Sequence, residues 1–500
     1  MRVSMVVSGC IAMNDNSVSE NGIAQPVDFS ITVGDVLKAT GGILISGSES
    51  VVFDAVGIDS RTILPGNLFV AIQGEHHDGH AFIPGVIQQG IRGVVVNQAK
   101  TEELRGKRWS DEGVTWVAVE DTIRALGDLA AYQRRRYKGR VIGITGSNGK
   151  TTTRRMTAAI FRRYFETLAS RGNYNNEIGL PLTLLGLKPD HQWILLELGM
   201  NHFGEIRRLS RICRPDIGVI TSIAPCHLEG VGSINGVVRA KAEILENIPS
   251  GGTVILNRDD PHLVQLGKKI DTNVLFFGES READIRAHSI HETGEEIRFT
   301  LQLPDSQAVV RLHATGRFMV SNALAAASAG HLAGLSGEEI QAGFLRFRPV
   351  TSRMNVIPTE RGMTIIDDTY NANPGSMAAA INTLVTLAGN NRSILVVGDM
   401  LELGEETDRL HRQVGELAGQ AGIIRLYATG PHAGLVAEGA RAGGMNKNQV
   451  ITGEKEAIIT DLKKQLKTRD RVLVKGSRGS AMEEIVEPIK EWASGRKDEA

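Results

Sequence analysis

Three observations predict an α/β protein of three domains. The chain has 500 residues, too many for one ordinary hydrophobic core. Val141 to Thr153 reads VIGITGSNGKTTT, a short apolar run entering a Gly-rich turn that ends in Lys-Thr. On both sides of about Pro349, short apolar runs alternate with helical stretches, the pattern of parallel sheets covered by helices. The expected divisions are a loose extension over 1–26, then domains over 27–115, 116–348 and 349–500.

Residues 1–26 are set apart because Asn14 to Gln25 is polar and the few apolar residues before it make too short a core for a leader peptide, despite the suggestive Val7-Ser8-Gly9-Cys10. With 56 basic against 57 acidic residues there is no global charge to attract nucleic acid or a membrane surface. No apolar run approaches the roughly 18 residues of a membrane span. The three cysteines, Cys10, Cys213 and Cys226, have neither disulfide nor metal-ligand spacing, which suits a reducing cytoplasm.

The first domain is expected to be a small sheet. It holds the strand-like VVFDAVGID, and then DSRTILPGNLFVAIQGEHHDGH from Asp59 to His80, with a turn at Pro65-Gly66, a buried LFVAI strand and a loop over Gly74 to Gly79. His76, His77 and His80 lack a partner set of ligand spacing and are expected to be solvated. Asp121 to Lys138 predicts an amphipathic helix whose apolar face carries Ile123, Leu126, Leu129 and Ala130, with Arg134 to Arg136 at the end that suits cations.

The central stretch misses the strict pattern G-x-x-x-x-G-K-[ST], since Ile144 stands five before Gly149. The chemistry is nonetheless that of a phosphate loop: Gly146 and Gly149 let N–H groups turn around an anion, Lys150 brings charge and Thr151 offers a hydroxyl to Mg²⁺. Met156, Ile160, Phe161 and Tyr164 space a helix over Thr151 to Phe165. WILLEL, DIGVITSI, TVILN and VLFF follow as strands, and ligands of such sheets gather at strand carboxyl ends. Glu197 and His227 stand at such ends, the first placed to hold Mg²⁺. Asn173, Asn175 and Asn176 crowd one loop, either to grip a polar substrate or to make turns. In the third domain MTIID, ILVVGD, IRLYA, NQVI and RVLVKG read as strands of a Rossmann-like sheet without a G-x-G-x-x-G turn. DDTYNANPGS, GDMLELG and KGSRGS sit just after them.

Taken together, TGSNGKTTT, the Asp59 to His80 block, YNANP and GDMLELG resemble the Mur ligases, ATP-dependent amide-forming enzymes of peptidoglycan precursor synthesis, over nearly everything after residue 26. TGSNGKTTT alone would suit the related folylpolyglutamate synthases. YNANP with GDMLELG is similar to the branch that adds D-Ala-D-Ala, and the D-N-P-R string of the diamino-acid-adding branch does not occur. The resemblance implies that a UDP-N-acetylmuramoyl tripeptide is activated as an acyl phosphate and attacked by D-Ala-D-Ala, with ATP and two Mg²⁺ ions, in a monomer without nucleic-acid partners. It implies a nucleotide cradle of Thr145, Gly146, Ser147, Asn148, Gly149, Lys150, Thr151 and Thr152, with Asn322 near adenine and Arg353 and Asp368 reaching ATP from the third domain. Glu197 and His227 would serve the metal with Thr151; Ser60, Arg61, Asp78, Gly79 and His80, with Asn173 and Asn176, would bind the muramoyl substrate.

The same resemblance makes Lys241, in AKAEI, a carbamylated lysine holding the second Mg²⁺, catalytic together with Lys150, His227 and Arg353. Helical spacing puts Lys241 on the face of Ile244, Leu245 and Ile248, and burial favours the neutral amine that adds CO₂. One departure stands out: many relatives read G-R-H-N-x-x-N where this chain reads GRFMVSN, Gly316 to Asn322, and Met319 is expected to pack against the base. Two other classes are disfavoured. A motor ATPase should show a Walker B strand ending in Asp, where this strand ends in Glu197, and a silent scaffold should have lost Lys150, Glu197, Arg353 or Asp368.

Overall fold

The apolar runs form strands at the expected places in a computed structural model that describes residues 30–74, 77–106, 113–294 and 296–495. The proposed extension 1–26 and His76 lie outside the described residues. The first domain has β1 (Ile31–Thr32), β2 (Ile43–Ser46), β3 (Val52–Phe53), β4 (Ala55–Gly57), β5 (Asn67–Val70), β6 (Gly93–Asn97) and β7 (Thr115–Val119). Its main sheet runs β2-β7-β6-β5-β4, parallel except for β2. Because β7 pairs with β2 and β6, a division at 115 would cut a strand, and this domain continues at least to Val119. The amphipathic helix is Thr122–Arg136; Asp121 caps it, and Arg134 fastens its last turn to the carbonyl of Cys213 and the carboxylate of Asp216 in the central domain.

Central strands are β8 (Arg140–Thr145), β9 (Thr167–Ala169), β10 (Trp193–Glu197), β11 (Ile217–Ile220), β12 (Thr253–Asn257), β13 (Asn273–Gly278), β14 (Ile285–Glu292), β15 (Ile297–Gln302) and β16 (Gln307–Leu312). They make one sheet in the order β16-β15-β14-β13-β12-β11-β8-β10-β9. Seven strands are parallel and β14 to β16 form an antiparallel meander that the apolar runs did not announce. Chain order reverses around β8, so the loop after it opens into a crevice between the ends of β10 and β11. The helix after that loop spans Lys150–Phe161, and Phe165 lies beyond it. It packs on the helix Phe318–Leu332, whose Ala and Ser residues allow close approach.

The third domain contributes β17 (Asn355–Pro358), β18 (Thr364–Asp368), β19 (Ser393–Val397), β20 (Arg425–Ala428), β21 (Val450–Thr452) and β22 (Arg471–Lys475), in the order β17-β18-β22-β19-β20-β21 with only β17 antiparallel. Its helix Pro374–Ala388 is capped by Asn373 and packs Met377, Ala380 and Ile381 into a core cluster that also holds Leu228 and Val231 of the central domain. The two domains therefore share buried apolar surface, with the loop after β8 and the carboxyl ends of β18 and β22 bordering a cavity.

Candidate active site

The loop after β8 takes its shape from its two glycines. Gly146 has φ 142° and a Cβ there would lie 2.0 Å from Thr221 Oγ1; Gly149 has φ 85° and a Cβ there would lie 2.2 Å from Asn322 Oδ1. Only glycine satisfies both the backbone and the space. Gly149 is the N-cap of the Lys150–Phe161 helix and provides no side-chain cap, so the positive end of that helix faces the cavity uncapped. That is the feature an anion uses. Lys150 is half-buried on the cavity wall, its Nζ donates to the Gly146 carbonyl at 2.7 Å, and desolvation of its ammonium, with a smaller opposing effect from Glu197, lowers its pKa.

These groups line a cavity of about 520 Å³ between the central and third domains. Lys150, Thr151, Glu197, His227, Arg353 and Asp368 all border it, as do Ser147 to Gly149, Thr152, Asn173, Asn176 and Asn322. Thr145 and Gly146 do not: Thr145 is fully buried behind the loop, so its expected contact with nucleotide is not made from the cavity wall. Nor does any described residue of the first domain line it.

Glu197 is buried rather than exposed. Thr151 Oγ1 donates to its Oε1 at 3.1 Å, Asn175 Nδ2 to the same oxygen at 3.0 Å, and Arg154 Nε to Oε2 at 3.3 Å. Arg154 was absent from the expected site, and Asn175 had been placed only in the asparagine loop, with no part beside Glu197. Arg154 lies one helical turn past Thr151 on the same face, a spacing the sequence does show. Asn176 turns out to be a structural residue, its side-chain oxygen accepting from the N–H groups of Ile178 and Gly179 at the start of the next helix.

His227 has left-handed backbone, φ 51°, and its Nδ1 pairs with Glu402 Oε2 at 2.5 Å; Glu402 is itself left-handed at φ 63°. The hydrogen bond from His227 keeps the Glu402 carboxyl below its usual range, against the opposing effect of burial. Only Nε2 of His227 remains for a ligand. Arg353 sits between two residues of positive φ, Ser352 at 58° and Met354 at 51°, a strained loop of the kind found at ligand clamps. Its guanidinium lies 4.1 Å from the Tyr370 ring centroid, and its buried Nε has no hydrogen-bond partner. Asp368 is held at the cavity wall: Lys475 Nζ donates to Oδ2 at 2.6 Å and the Met354 N–H to Oδ1 at 3.1 Å. Lys475, buried and on the cavity wall, was missed as a site residue although KGSRGS had been placed at a strand end.

Lys241 is fully buried and its Nζ has no partner. Burial first, and then the charge of Lys150, lower its pKa to about 7. The helix carrying it, Ile234–Ala242, tightens to a 3₁₀ turn over Glu243–Asn247, so the expected single face through Ile248 is replaced by a change of helix type just after the lysine. At the departure, Met319 is buried and lines the cavity beside the half-buried Phe318.

In the first domain, the Ser60-Arg61 turn follows β4 and the Asp78-Gly79-His80 turn follows β5, two neighbouring parallel strands. Arg61 is exposed and paired with Asp59 at 2.6 Å. His80 is not solvated. It is 4% exposed, its Nδ1 bonds Asp78 Oδ1 at 2.6 Å, and its Nε2 accepts the Asn97 N–H at 2.9 Å, so the ring is spent on holding the loop. Burial raises the Asp78 pKa, but hydrogen bonds from Lys100 and His80 outweigh it and bring it down to about 2.

This architecture and site define a class of three-domain, phosphate-loop ligases. The chain belongs to the Mur ligase family. Residues 144–330 match the Mur ligase middle domain, 352–478 the Mur ligase, glutamate ligase domain, and 52–134 the Mur ligase family, catalytic domain. It is 37% identical to the UDP-N-acetylmuramoyl-tripeptide--D-alanyl-D-alanine ligase of Escherichia coli (strain K12), over 93% of this chain and 99% of that protein. A crystal structure of MurF from Acinetobacter baumannii superposes with TM-score 0.84 at 31% identity, covering 93% of this chain and all of the other. The Thermotoga maritima MurF ligase in complex with ADP gives 0.78 at 26% identity, over 89% and 98%.

Proposed function

We propose that the chain joins D-Ala-D-Ala to the terminal carboxylate of a UDP-N-acetylmuramoyl tripeptide, converting ATP to ADP and phosphate. The observation that carries the proposal is the meeting of Lys150, Thr151 and Glu197 with Arg353 in one interdomain cavity, in a chain similar to UDP-N-acetylmuramoyl-tripeptide--D-alanyl-D-alanine ligases. A carboxylate is a poor electrophile. Its oxygen attacks the γ-phosphorus, the bond to the ADP oxygen breaks, and the resulting acyl phosphate is attacked by the dipeptide amine, which loses a proton as phosphate leaves. Lys150 and Arg353 offset the charge that builds on the phosphoryl oxygens. Asn322, beside Gly149, and the apolar pair Phe318 and Met319 receive the base and its sugar.

The residues fit Mg²⁺. Thr151 Oγ1 and Glu197 Oε1 are 3.1 Å apart, close to the roughly 3 Å between adjacent corners of an octahedron with ligands at about 2.1 Å. Such an ion would neutralise charge on the β- and γ-phosphate oxygens. For a second ion, His227 offers Nε2 and Lys241 a buried amine without a partner. A neutral amine adds CO₂ with release of a proton to solvent, and the resulting carbamate would offer an oxygen ligand.

The muramoyl nucleotide is held by the first domain through Ser60, Arg61, Asp78 and Gly79, with His80 bracing the loop and Asn173 at the cavity edge. The enzyme acts in the cytoplasm, as a monomer, in building the cell wall. The test is phosphate release with ATP, Mg²⁺ and D-Ala-D-Ala plus either a UDP-muramoyl tripeptide or, with glutamate, a folate. Release is expected with the muramoyl peptide; release that depends on folate instead would reject the reading.

A further inference from the structure

Beyond the phosphate loop the cavity wall turns apolar on both sides, with Phe318 and Met319 from the central domain and Ala379 and Ala380 from the third. Gly316 brings the two sides together. A Cβ there would lie 2.5 Å from Phe318 Cε1 and 2.8 Å from Thr383 Oγ1, and the Thr383 hydroxyl donates one turn back to the Ala379 carbonyl at 2.8 Å. Phe318 packs against both the cluster shared with the third domain and that of the central domain. Asn322, one turn after Phe318 and Met319, is the residue that crowds Gly149, so this slot begins where the phosphate loop ends.

The hydrogen-bonding groups around the slot are one-sided. Ser321 Oγ accepts from Asn257 Nδ2 at 3.3 Å, which leaves its hydrogen to donate. Asn322 Oδ1 accepts from the Thr153 hydroxyl at 3.4 Å, while its Nδ2 faces the Met319 sulfur at 4.0 Å and keeps a second hydrogen. Ser376 is spent on its own turn, donating to the Asn373 carbonyl and accepting the Asn373 N–H, each at 3.0 Å. The carbonyls of Gly316 and Arg317 accept the N–H groups of Met319 and Val320 at 2.9 Å. Among these described residues, donors are left over and the acceptors are taken. Adenine differs from guanine by a 6-amino group that needs an acceptor, whereas the guanine O6, and the N7 common to both purines, take donors.

We infer that the slot holds the nucleotide base by its faces without reading its edge, so that the 6-keto purine nucleotides GTP and ITP serve the reaction alongside ATP. This deepens the proposed ligase reading and rests on it for the placement of the base. An apolar pocket rejects a near-isostere by only about 10- to 200-fold, where a site that hydrogen-bonds the distinguishing group rejects it by about 10⁴-fold or more.

Calorimetric titration of the full-length protein in Mg²⁺ with ADP, GDP, IDP and pyrophosphate reads the slot without any ligase step. The three nucleotides are expected to bind within about 30-fold of one another, and each at least about 10-fold more tightly than pyrophosphate. A wider spread, or a smaller advantage over pyrophosphate, overturns the inference. Met319→Asn puts into the slot an amide that matches adenine N6 and N7 together, and it should shift the ratio of dissociation constants about 10-fold toward ADP. An unshifted ratio in the folded variant also overturns the inference, and the wild-type comparison decides by itself if the variant does not fold. Turnover with the muramoyl tripeptide and D-Ala-D-Ala should then show kcat/KM for GTP within about 30-fold of that for ATP. Product with ATP alone overturns the inference; no product with any nucleotide points at the ligase reading, while the binding ratios still decide this one.

Discussion

Lys150, half-buried on the cavity wall, and Lys241, fully buried, are both ammonium-type side chains, and their surroundings give them different work. Lys150 donates to the carbonyls of its own loop, which holds its Nζ at the phosphate-binding turn. Lys150→Ala is expected to cut turnover by at least about 10²-fold at saturating ATP, with the circular dichroism spectrum unchanged; near-normal turnover would refute the role. Lys241, without a partner and with its pKa near 7, is half neutral at about that pH and increasingly protonated below it. Activity should therefore drop in CO₂-free buffer and return with bicarbonate, more bicarbonate being needed at about pH 6 than at about pH 8, since only the neutral amine reacts. A response to bicarbonate that is flat, or absent, would count against the carbamate. The AKAEI string and helical spacing made the burial of Lys241 legible. The role of His80 was not, because its two partners, Asp78 and the Asn97 backbone, meet only once β6 is laid beside β5.

At the scale of elements, strands buried on both faces were readable because they are continuous apolar runs, as in WILLEL and ILVVGD. The meander β14 to β16 escaped notice because its edge strands are half exposed and carry Arg, His and Gln between the buried residues. Cross-strand pairs were equally hidden. Asp368 ends β18 and Lys475 ends β22, neighbours in the sheet but 107 residues apart in the chain. Lys475→Met leaves the buried Asp368 carboxylate uncompensated and should cost about 3–5 kcal/mol in denaturant unfolding of the third domain. Adding Asp368→Asn should recover part of that loss. Equal stability of Lys475→Met and wild type would show the pair to be dispensable.

Over the whole molecule, the central and third domains are joined across the cavity by a reciprocal amide pair, Asn373 Nδ2 to Asn148 Oδ1 at 2.8 Å and Asn148 Nδ2 to Asn373 Oδ1 at 3.3 Å, and by His227 with Glu402. The amide pair links the phosphate loop directly to the N-cap of the Pro374–Ala388 helix. In the proposed reaction these contacts hold the two sides of the cavity together and keep water from the acyl phosphate. The doubly substituted Asn373→Ala, Glu402→Ala enzyme is expected to show a larger radius of gyration in X-ray scattering than the wild type and a lower kcat; identical scattering curves would exclude these contacts as the clasp.

The account turns on an acyl phosphate formed at Lys150. With ¹⁸O in both oxygens of the tripeptide's terminal carboxylate, one label should leave with each phosphate released in the presence of ATP and D-Ala-D-Ala, and the amide product should keep the other. Phosphate free of label, alongside product formation, would contradict it.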